Sequence, residues 1–409
     1  MVGNFVSLVM LQGINFLLPL IAMPYLVRIL GVERYGFTMF GYALIQYFIM
    51  FTDFGFNLSG TKYISQNRDN PDKINTYLNS AMMGRMLLCS MSFLVLLILI
   101  CCFDRFKTDS IFYLSYFGMV IGNAMFPVWF FQGMERMKYM TIFYLAAKVL
   151  TFFPFFIFIK KAEDYFYVPI FYSAGYIFAG CISLYFVYIQ MNMKWFLPSV
   201  KQIKFALTDS STYFLSRLST SLFTTNNLFV LGLVYGNTVT GNTIVGFYSA
   251  AEKLYQAYTQ LLGPFTGVLF PHIAKTRDVR FFKNALTKVF FTNLIVLTGV
   301  ILCGELILYL VYDRVDPETL SVFRILLTAC YVTYPSMLLG YPFLAAMGHP
   351  TYTNSTTIIT SFVHITGLFI LFFTKQLNLY TVAIMVVVSE SFLLFLRARG
   401  VIKFKLMKQ

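Results

Sequence analysis

Charge is what this chain has least of. Asp, Glu, Lys and Arg supply 12% of its 409 residues, against 58% hydrophobic, where a soluble domain carries roughly 25% charged residues. That scarcity, with a mean hydropathy of +0.71, excludes a water-soluble globular protein. Histidine numbers three and tryptophan two, and three scattered histidines argue against a metal site. Cys89, Cys101, Cys102, Cys181, Cys303 and Cys330 all lie inside apolar runs. Without disulfide or metal spacing, they read as small hydrophobes. No Walker loop, zinc spacing or nucleophile elbow occurs, so nothing points to an enzyme, to ATP hydrolysis or to a bound cofactor. The N-terminus lacks a basic region and a cleavage site, so its first apolar run is expected to stay as a helix.

What fills the chain instead is a succession of apolar runs, each near the twenty or so helical residues that cross a hydrocarbon core. The expected spans are Phe5–Leu26, Phe37–Asn57, Met82–Phe103, Ile111–Phe131, Tyr139–Ile159 and Val168–Gln190, then Tyr213–Tyr235, Val245–Phe270, Val289–Val311, Phe323–Ala345, Thr353–Phe373 and Leu379–Leu396. The fold class is therefore an all-α integral membrane protein of about 12 transmembrane helices. With both termini cytoplasmic, about eighteen Lys and Arg fall inside, about eight outside and about five within spans. The cytoplasmic set includes Lys62, Lys73, Lys275, Lys283 and the tail Arg397 and Arg399. Loops of this kind account for the net charge of +14 without a nucleic-acid partner. Interfacial belts and composition bias account for most of the 47 Phe and 28 Tyr.

The halves look related. Pro127 and Gly133 in "PVWFFQG" recur as Pro342 and Gly348 in "PFLAAMG", about 215 residues on. Gly36, Phe37 and Gln46 recur as Gly246, Phe247 and Gln256, about 210 on. Parallel repeats, residues 1–195 and 196–409, would form two six-helix lobes enclosing a central cationic cavity.

Charged residues inside spans cost roughly 2.5–3.5 kcal/mol each at the bilayer centre, so they are expected to face a partner or a wet cavity. They are Asp53, Arg85, Lys148, Arg217, Glu252, Lys253, Arg324 and Glu390. Arg85 and Arg324 lie near span ends, where snorkelling to headgroups is the plainer reading. The excess of cations suits an anionic substrate. Arg217, Ser221 and Thr224 share one helix face at i, i+4 and i+7, with Asn227 beside them. Gly13, Pro19 and Pro24 offer hinges in the first helix. His364, in an apolar run, reads as a packed, hydrogen-bonded residue.

The segments "NFLLPLIAMPYLVRILGVERYGFTMFGYAL", "TDFGFNLSGTKYIS", "PVWFFQGMERMKY" and "VGFYSAAEKLYQ" resemble the Wzx-type polysaccharide flippases of the multidrug/oligosaccharidyl-lipid/polysaccharide exporter superfamily. The basic cytoplasmic lead common in that family is missing ahead of "MVGNF". The resemblance implies a multi-pass protein of the bacterial inner membrane. It would move undecaprenyl-pyrophosphate-linked O-antigen or capsule repeat units by alternating access, driven by H⁺ or Na⁺, with a polysaccharide polymerase as a further partner. On that basis the pyrophosphate falls to Arg217, Lys253, Arg28, Arg85, Lys148 and Arg324, since arginine grips phosphate oxygens in pairs. Ser221, Thr224 and Asn227 would bond sugar hydroxyls, and Asp53, Glu252 and Glu390 would serve ion coupling. A drug or small-metabolite antiporter of the same superfamily and a membrane polysaccharide polymerase stay open as alternatives.

Overall fold

The computed structural model describes residues 2–224, 226–236 and 238–407, with the side chains of 2–17, 215–217, 219–224 and 264 outside the description. Among the described residues every regular element is a helix. Eight are long and apolar enough to cross a membrane: Pro71–Cys102, Ser110–Gly133, Met137–Phe158, Ala162–Gln190, Val279–Leu302, Pro317–Ala345, Pro350–Phe373 and Leu379–Lys403. They overlap the third to sixth and ninth to twelfth expected spans. The ninth of these, Val289–Val311, runs past the break at Cys303 into a separate helix, Gly304–Tyr312.

The other four expected spans take less regular forms, and the sequence explains why. Helix α1 (Val2–Asp53) carries the first two and kinks at Gly31, whose φ of 71° and ψ of 165° belong to no helix. A side chain at positive φ would be strained there, which is why glycine stands at the bend. Pro19 and Pro24, the expected hinges, stay inside the helix. The seventh span lies in α9 (Val200–Thr224) and α10 (Asn226–Tyr235), with residue 225 outside the description. The eighth divides between α11 (Val239–Gln260) and α12 (Gly263–Thr276), at a Gly-Pro pair suited to starting a helix and not to continuing one.

The chain forms two compact units, Met1–Leu218 with Gly236–Thr238, and Ser219–Tyr235 with Val239–Gln409. In the first, α3 (Pro71–Cys102), α5 (Ser110–Met125), α7 (Met137–Phe158) and α8 (Tyr167–Tyr185) pack with α1. Two glycines four apart let α5 and α8 meet backbone to backbone. A Cβ on Gly122 would lie 2.2 Å from the Tyr176 carbonyl carbon, and one on Gly118 would lie 2.6 Å from Ser173 Cβ. Small residues at this spacing are how helices approach closely in lipid, where no hydrophobic force drives them together. Past α5 the chain breaks at Phe126–Pro127 and resumes as α6 (Val128–Gly133). Trp129, Phe130 and Phe131 of α6 are fully buried with Phe56.

In the second unit α11, α15 (Pro317–Leu338), α16 (Pro350–Phe373) and α17 (Leu379–Lys403) enclose a more polar interior. Helix α15 runs into a π-helical turn, Leu339–Ala345, broken at Gly340 with ψ −114°. Along α16 a buried stripe of Thr353, Thr356, Thr360 and His364 faces inward, at the 3- and 4-residue steps that keep one helix face. Each threonine hydroxyl donates to a carbonyl one turn back.

Candidate functional site

In the first unit the site grows from the proline of "PVWFFQG". Pro127 has no N–H, so the Asn123 carbonyl four residues earlier loses its ordinary helical partner. Arg85 of α3 supplies one, donating from Nη2 to Asn123 O at 2.7 Å and from Nη1 to Phe126 O at 2.8 Å. Nη2 also meets Asp53 Oδ1 at 3.3 Å. Asn57 donates to the other Asp53 oxygen. Arg85 is 1% exposed, so the expected snorkel to headgroups is corrected. Its charge is drawn inward because a broken helix end and a carboxylate both need it. Lys148 of α7 lies half-buried nearby, 5.4 Å from the Phe152 ring centroid, along a narrow cleft shared with Asn123, Tyr144 and Tyr176.

The second unit has a matching arrangement that the sequence reading missed. Arg397, expected at the cytoplasmic surface, is buried. Its Nη1 donates to Ser336 O at 2.8 Å and to Ser336 Oγ at 3.2 Å, and its Nη2 to Thr357 Oγ1 at 3.3 Å. It thus caps α15 just before the Gly340 break. Glu390, two turns earlier on α17, is buried and lies within electrostatic reach of Arg397 and Thr333. That seven-residue spacing, an acid and a base on one face, was the available signal. Glu252 of α11 is also buried, and Tyr255 one turn later feels both carboxylates. Lys253 diverges from Glu252 and donates to Gln256 at 3.5 Å.

Of the remaining expected site residues, Arg28 and Arg324 are exposed, and the latter fits the headgroup reading. Asn227 is 2% exposed, with Oδ1 at 2.9 Å from His364 Nε2. His364 Nδ1 lies 2.8 Å from Ser389 Oγ. Arg217, Ser221 and Thr224 fall on α9, and their side chains lie outside the described residues. The structure therefore brings together Asp53 with Arg85, and leaves Glu252 and Glu390 each buried. Among the described residues no group of three His, Cys, Asp or Glu is placed to hold a metal.

Irregular backbone at membrane depth is tolerated only where it is buried in protein or lines a cavity, and Arg85 and Arg397 are buried at two such breaks. The chain shares its fold with an inward-facing multidrug-resistance MATE-family transporter of the MOP superfamily, at TM-score 0.72 and 14% identity over 99% of each chain. It is likewise similar to the lipid II flippase MurJ in an inward closed conformation, at TM-score 0.73 and 12% identity, over 100% of this chain and 90% of that one. At these identities the likeness is one of fold. In sequence it is 30% identical over 273 residues to the "Putative O-antigen transporter" of Escherichia coli (strain K12). That stretch is 67% of this chain and 65% of the relative's length. The protein of the same name from Shigella dysenteriae is 28% identical over 275 residues, covering 66% and 67% of the two chains. Residues 1–277 match the family model described as polysaccharide biosynthesis protein, and the chain belongs to that family.

Proposed function

We propose that the protein is a flippase for a lipid-linked oligosaccharide, carrying an undecaprenyl-pyrophosphate-bound O-antigen or capsule repeat unit across the bacterial inner membrane. The match of residues 1–277 to the polysaccharide biosynthesis family carries the reading. In it, about 12 spanning helices form lobes of residues 1–195 and 196–409 around a cationic cavity, with both termini cytoplasmic. The diphosphate falls first to Arg217, then to Lys253 and Arg28, with Lys148 and Arg324 behind them. Arg85 ranks lower than its charge suggests, because its terminal nitrogens already serve Asp53, Asn123 and Phe126. Ser221 and Thr224 take the sugar hydroxyls, and Asn227, bound to His364, stands behind them. Asp53, Glu252 and Glu390 are the candidates for coupling to H⁺ or Na⁺. The lipid tail stays in the bilayer, and the basic loops near Lys62–Lys73 and Lys275–Lys288 meet anionic headgroups.

Arg217→Ala tests the assignment. The expected outcome is loss of surface polysaccharide, with undecaprenyl-linked units accumulating on the cytoplasmic leaflet and the variant present in the membrane at the wild-type level. Normal surface polysaccharide in that variant overturns the role of Arg217. Deleting the gene and finding drug susceptibility changed with surface polysaccharide intact favours the antiporter alternative.

A further inference from the structure

The stretch that leads from the span Ala162–Gln190 into α9 has no regular structure of its own, yet its backbone is held. Residues 192–199 form neither helix nor strand. Lys194 N–H donates to Asn75 Oδ1 at 3.0 Å, and Asn79 Nδ2 donates to Lys194 O at 2.9 Å. Two asparagines one turn apart on α3 thus grip both backbone groups of one residue, as a neighbouring strand would. Tyr188 OH donates to Asn79 Oδ1 at 3.2 Å and steadies that amide. At Ser199 a capping box starts α9. Gln202 N–H donates to Ser199 Oγ at 3.3 Å, and Ser199 N–H donates to Gln202 Oε1 at 2.8 Å. The helix then stays on the first unit. Ala206 and Ser210 are buried, Ser210 Oγ lies 2.6 Å from Ser59 Oγ, and a Cβ on Gly84 would lie 3.3 Å from Leu207 Cδ2.

Pinned at both ends, the segment packs Met191 and Met193 on the core of the first unit and turns its other large side chains outward. Trp195 is 66% exposed, Leu197 69% and Val200 82%. A fixed row of this kind marks an interaction surface, and its surroundings say what covers it. Along the span Ala162–Gln190, Phe178, Tyr185 and Ile189 are exposed at spacings of seven and four, which make one stripe. That stripe faces lipid, and Trp195 and Leu197 continue it past the end of the span. Lys194, Lys201 and Lys204 are exposed among them. No Asp or Glu occurs between Asp164 and Asp209, so the run is purely cationic.

We infer that residues 194–204 are a surface anchor, seated in the headgroup region of the bilayer and binding anionic phospholipid. Trp195, Leu197 and Val200 enter the boundary between headgroups and acyl chains. An indole suits that boundary because its body is apolar and its N–H donates a hydrogen bond. The lysine stems lie along the same boundary and bring their ammonium groups to lipid phosphates. Because Asn75, Asn79 and the start of α9 hold the backbone, the anchor ties the first unit itself to the leaflet, shortly before that unit ends at Leu218. The inference needs no assumption about what the protein carries.

The chain has two tryptophans, and Trp129 is fully buried in the core of the first unit, so fluorescence quenching can report on Trp195. The full-length protein is placed in vesicles of phosphatidylcholine and phosphatidylglycerol, and Trp195→Phe supplies the Trp129 signal to subtract. The Trp195 component is expected to lose most of its intensity to lipid brominated near the headgroup end of the acyl chain. It should lose less to lipid brominated near the chain terminus, and little to iodide in the water. At equal mole fraction, brominated phosphatidylglycerol should quench it more than brominated phosphatidylcholine. Lys194→Gln, Lys201→Gln and Lys204→Gln together should bring the two lipids to the same level, as should high salt. Iodide quenching without lipid quenching would put Trp195 in water. Quenching by neither would mean that protein covers it, a second copy included. Either result, or equal quenching by the two lipids in the wild type, overturns the inference.

Discussion

About 215 residues separate Pro127 from Pro342, and at the same offset α5 has Gly118 and Gly122 where α15 has Thr333 and Met337. In the first unit the broken helix is clasped by backbone contact with α8, and its loose carbonyls go to an arginine paired with Asp53. In the second, a threonine near Glu390 replaces the glycine, while the capping arginine ends on hydroxyls. The two arginines come from positions that the repeat does not relate, Arg85 from α3 and Arg397 from α17. In both units a buried arginine from a different neighbour donates to carbonyls beside a helix break. The first joint is close and closed; the second is polar and adjustable.

The largest effect should come from breaking the first joint's ion pair. Arg85→Ala takes the paired cation from the half-buried Asp53 carboxylate and a charged donor from two carbonyls, and is expected to cost about 3–5 kcal/mol. It should appear as strongly reduced membrane abundance and an earlier thermal unfolding in detergent. Removing Asp53 as well should recover part of that loss, because the uncompensated charge disappears. A double variant as damaged as Arg85→Ala alone would show that the carbonyl caps, and not the pair, matter. Next comes Gly122→Leu. Even its Cβ would overlap the Tyr176 backbone, which cannot move as a side chain can, so about 3 kcal/mol or more is expected. Met337→Leu, at the corresponding place in α15, should cost less than about 1.5 kcal/mol. Equal sensitivity at the two positions would erase the contrast.

At Gly340 the obstruction is softer. A Cβ there would lie 2.9 Å from Arg397 Cζ, the far end of a flexible side chain. Gly340→Ala should displace the guanidinium from Ser336 and Thr357, costing about 1.5–3 kcal/mol, the value of a hydrogen bond to a charged group. In an Arg397→Met background the same substitution should be nearly silent, since the clash and the bonds are both gone.

Much of the scaffold was legible in the sequence. Hydropathy marks the spans because lipid leaves the backbone no alternative to the helix. The expected spans Ile111–Phe131 and Phe323–Ala345 nevertheless run through both breaks, which the missing N–H of Pro127 and Pro342 could have signalled. What hydropathy does not encode is the direction a charged residue faces. Arg85 and Arg397 both sit toward span ends, where a snorkelling side chain and an inward one have the same sequence. Only the acid seven residues before Arg397 distinguished the two. The His364–Asn227 bond joins residues 137 apart, and no local period predicts which helices will meet. The eighth expected span, which breaks between α11 and α12, differs from expectation for a related reason. Its hydroxyls and charges lower the hydropathy that would have fixed its ends.

The far ends of the broken helices give the smallest and most selective test. In the first unit Arg68 Nε donates to Gly133 O at 2.6 Å, closing α6, and its Nη1 pairs with Glu135 at 2.7 Å. In the second, His349 stacks on Phe404 at 3.7 Å with rings 8° from parallel. Both Arg68 and Glu135 side chains are well exposed, 36% and 60%, so water and salt screen their attraction. Glu135→Gln should cost less than about 1 kcal/mol. Arg68→Ala should cost more, because it also uncaps the helix, and the excess should survive high salt as the ion-pair part does not. His349→Ala acts through lost ring contact and should be indifferent to salt. Hydrogen exchange at the amides after Gly133 and after Gly348, measured at low and high ionic strength, separates the two. Salt should loosen the first end and leave the second unchanged, and equal loosening at both would mean that the charged clasp is not what holds the first.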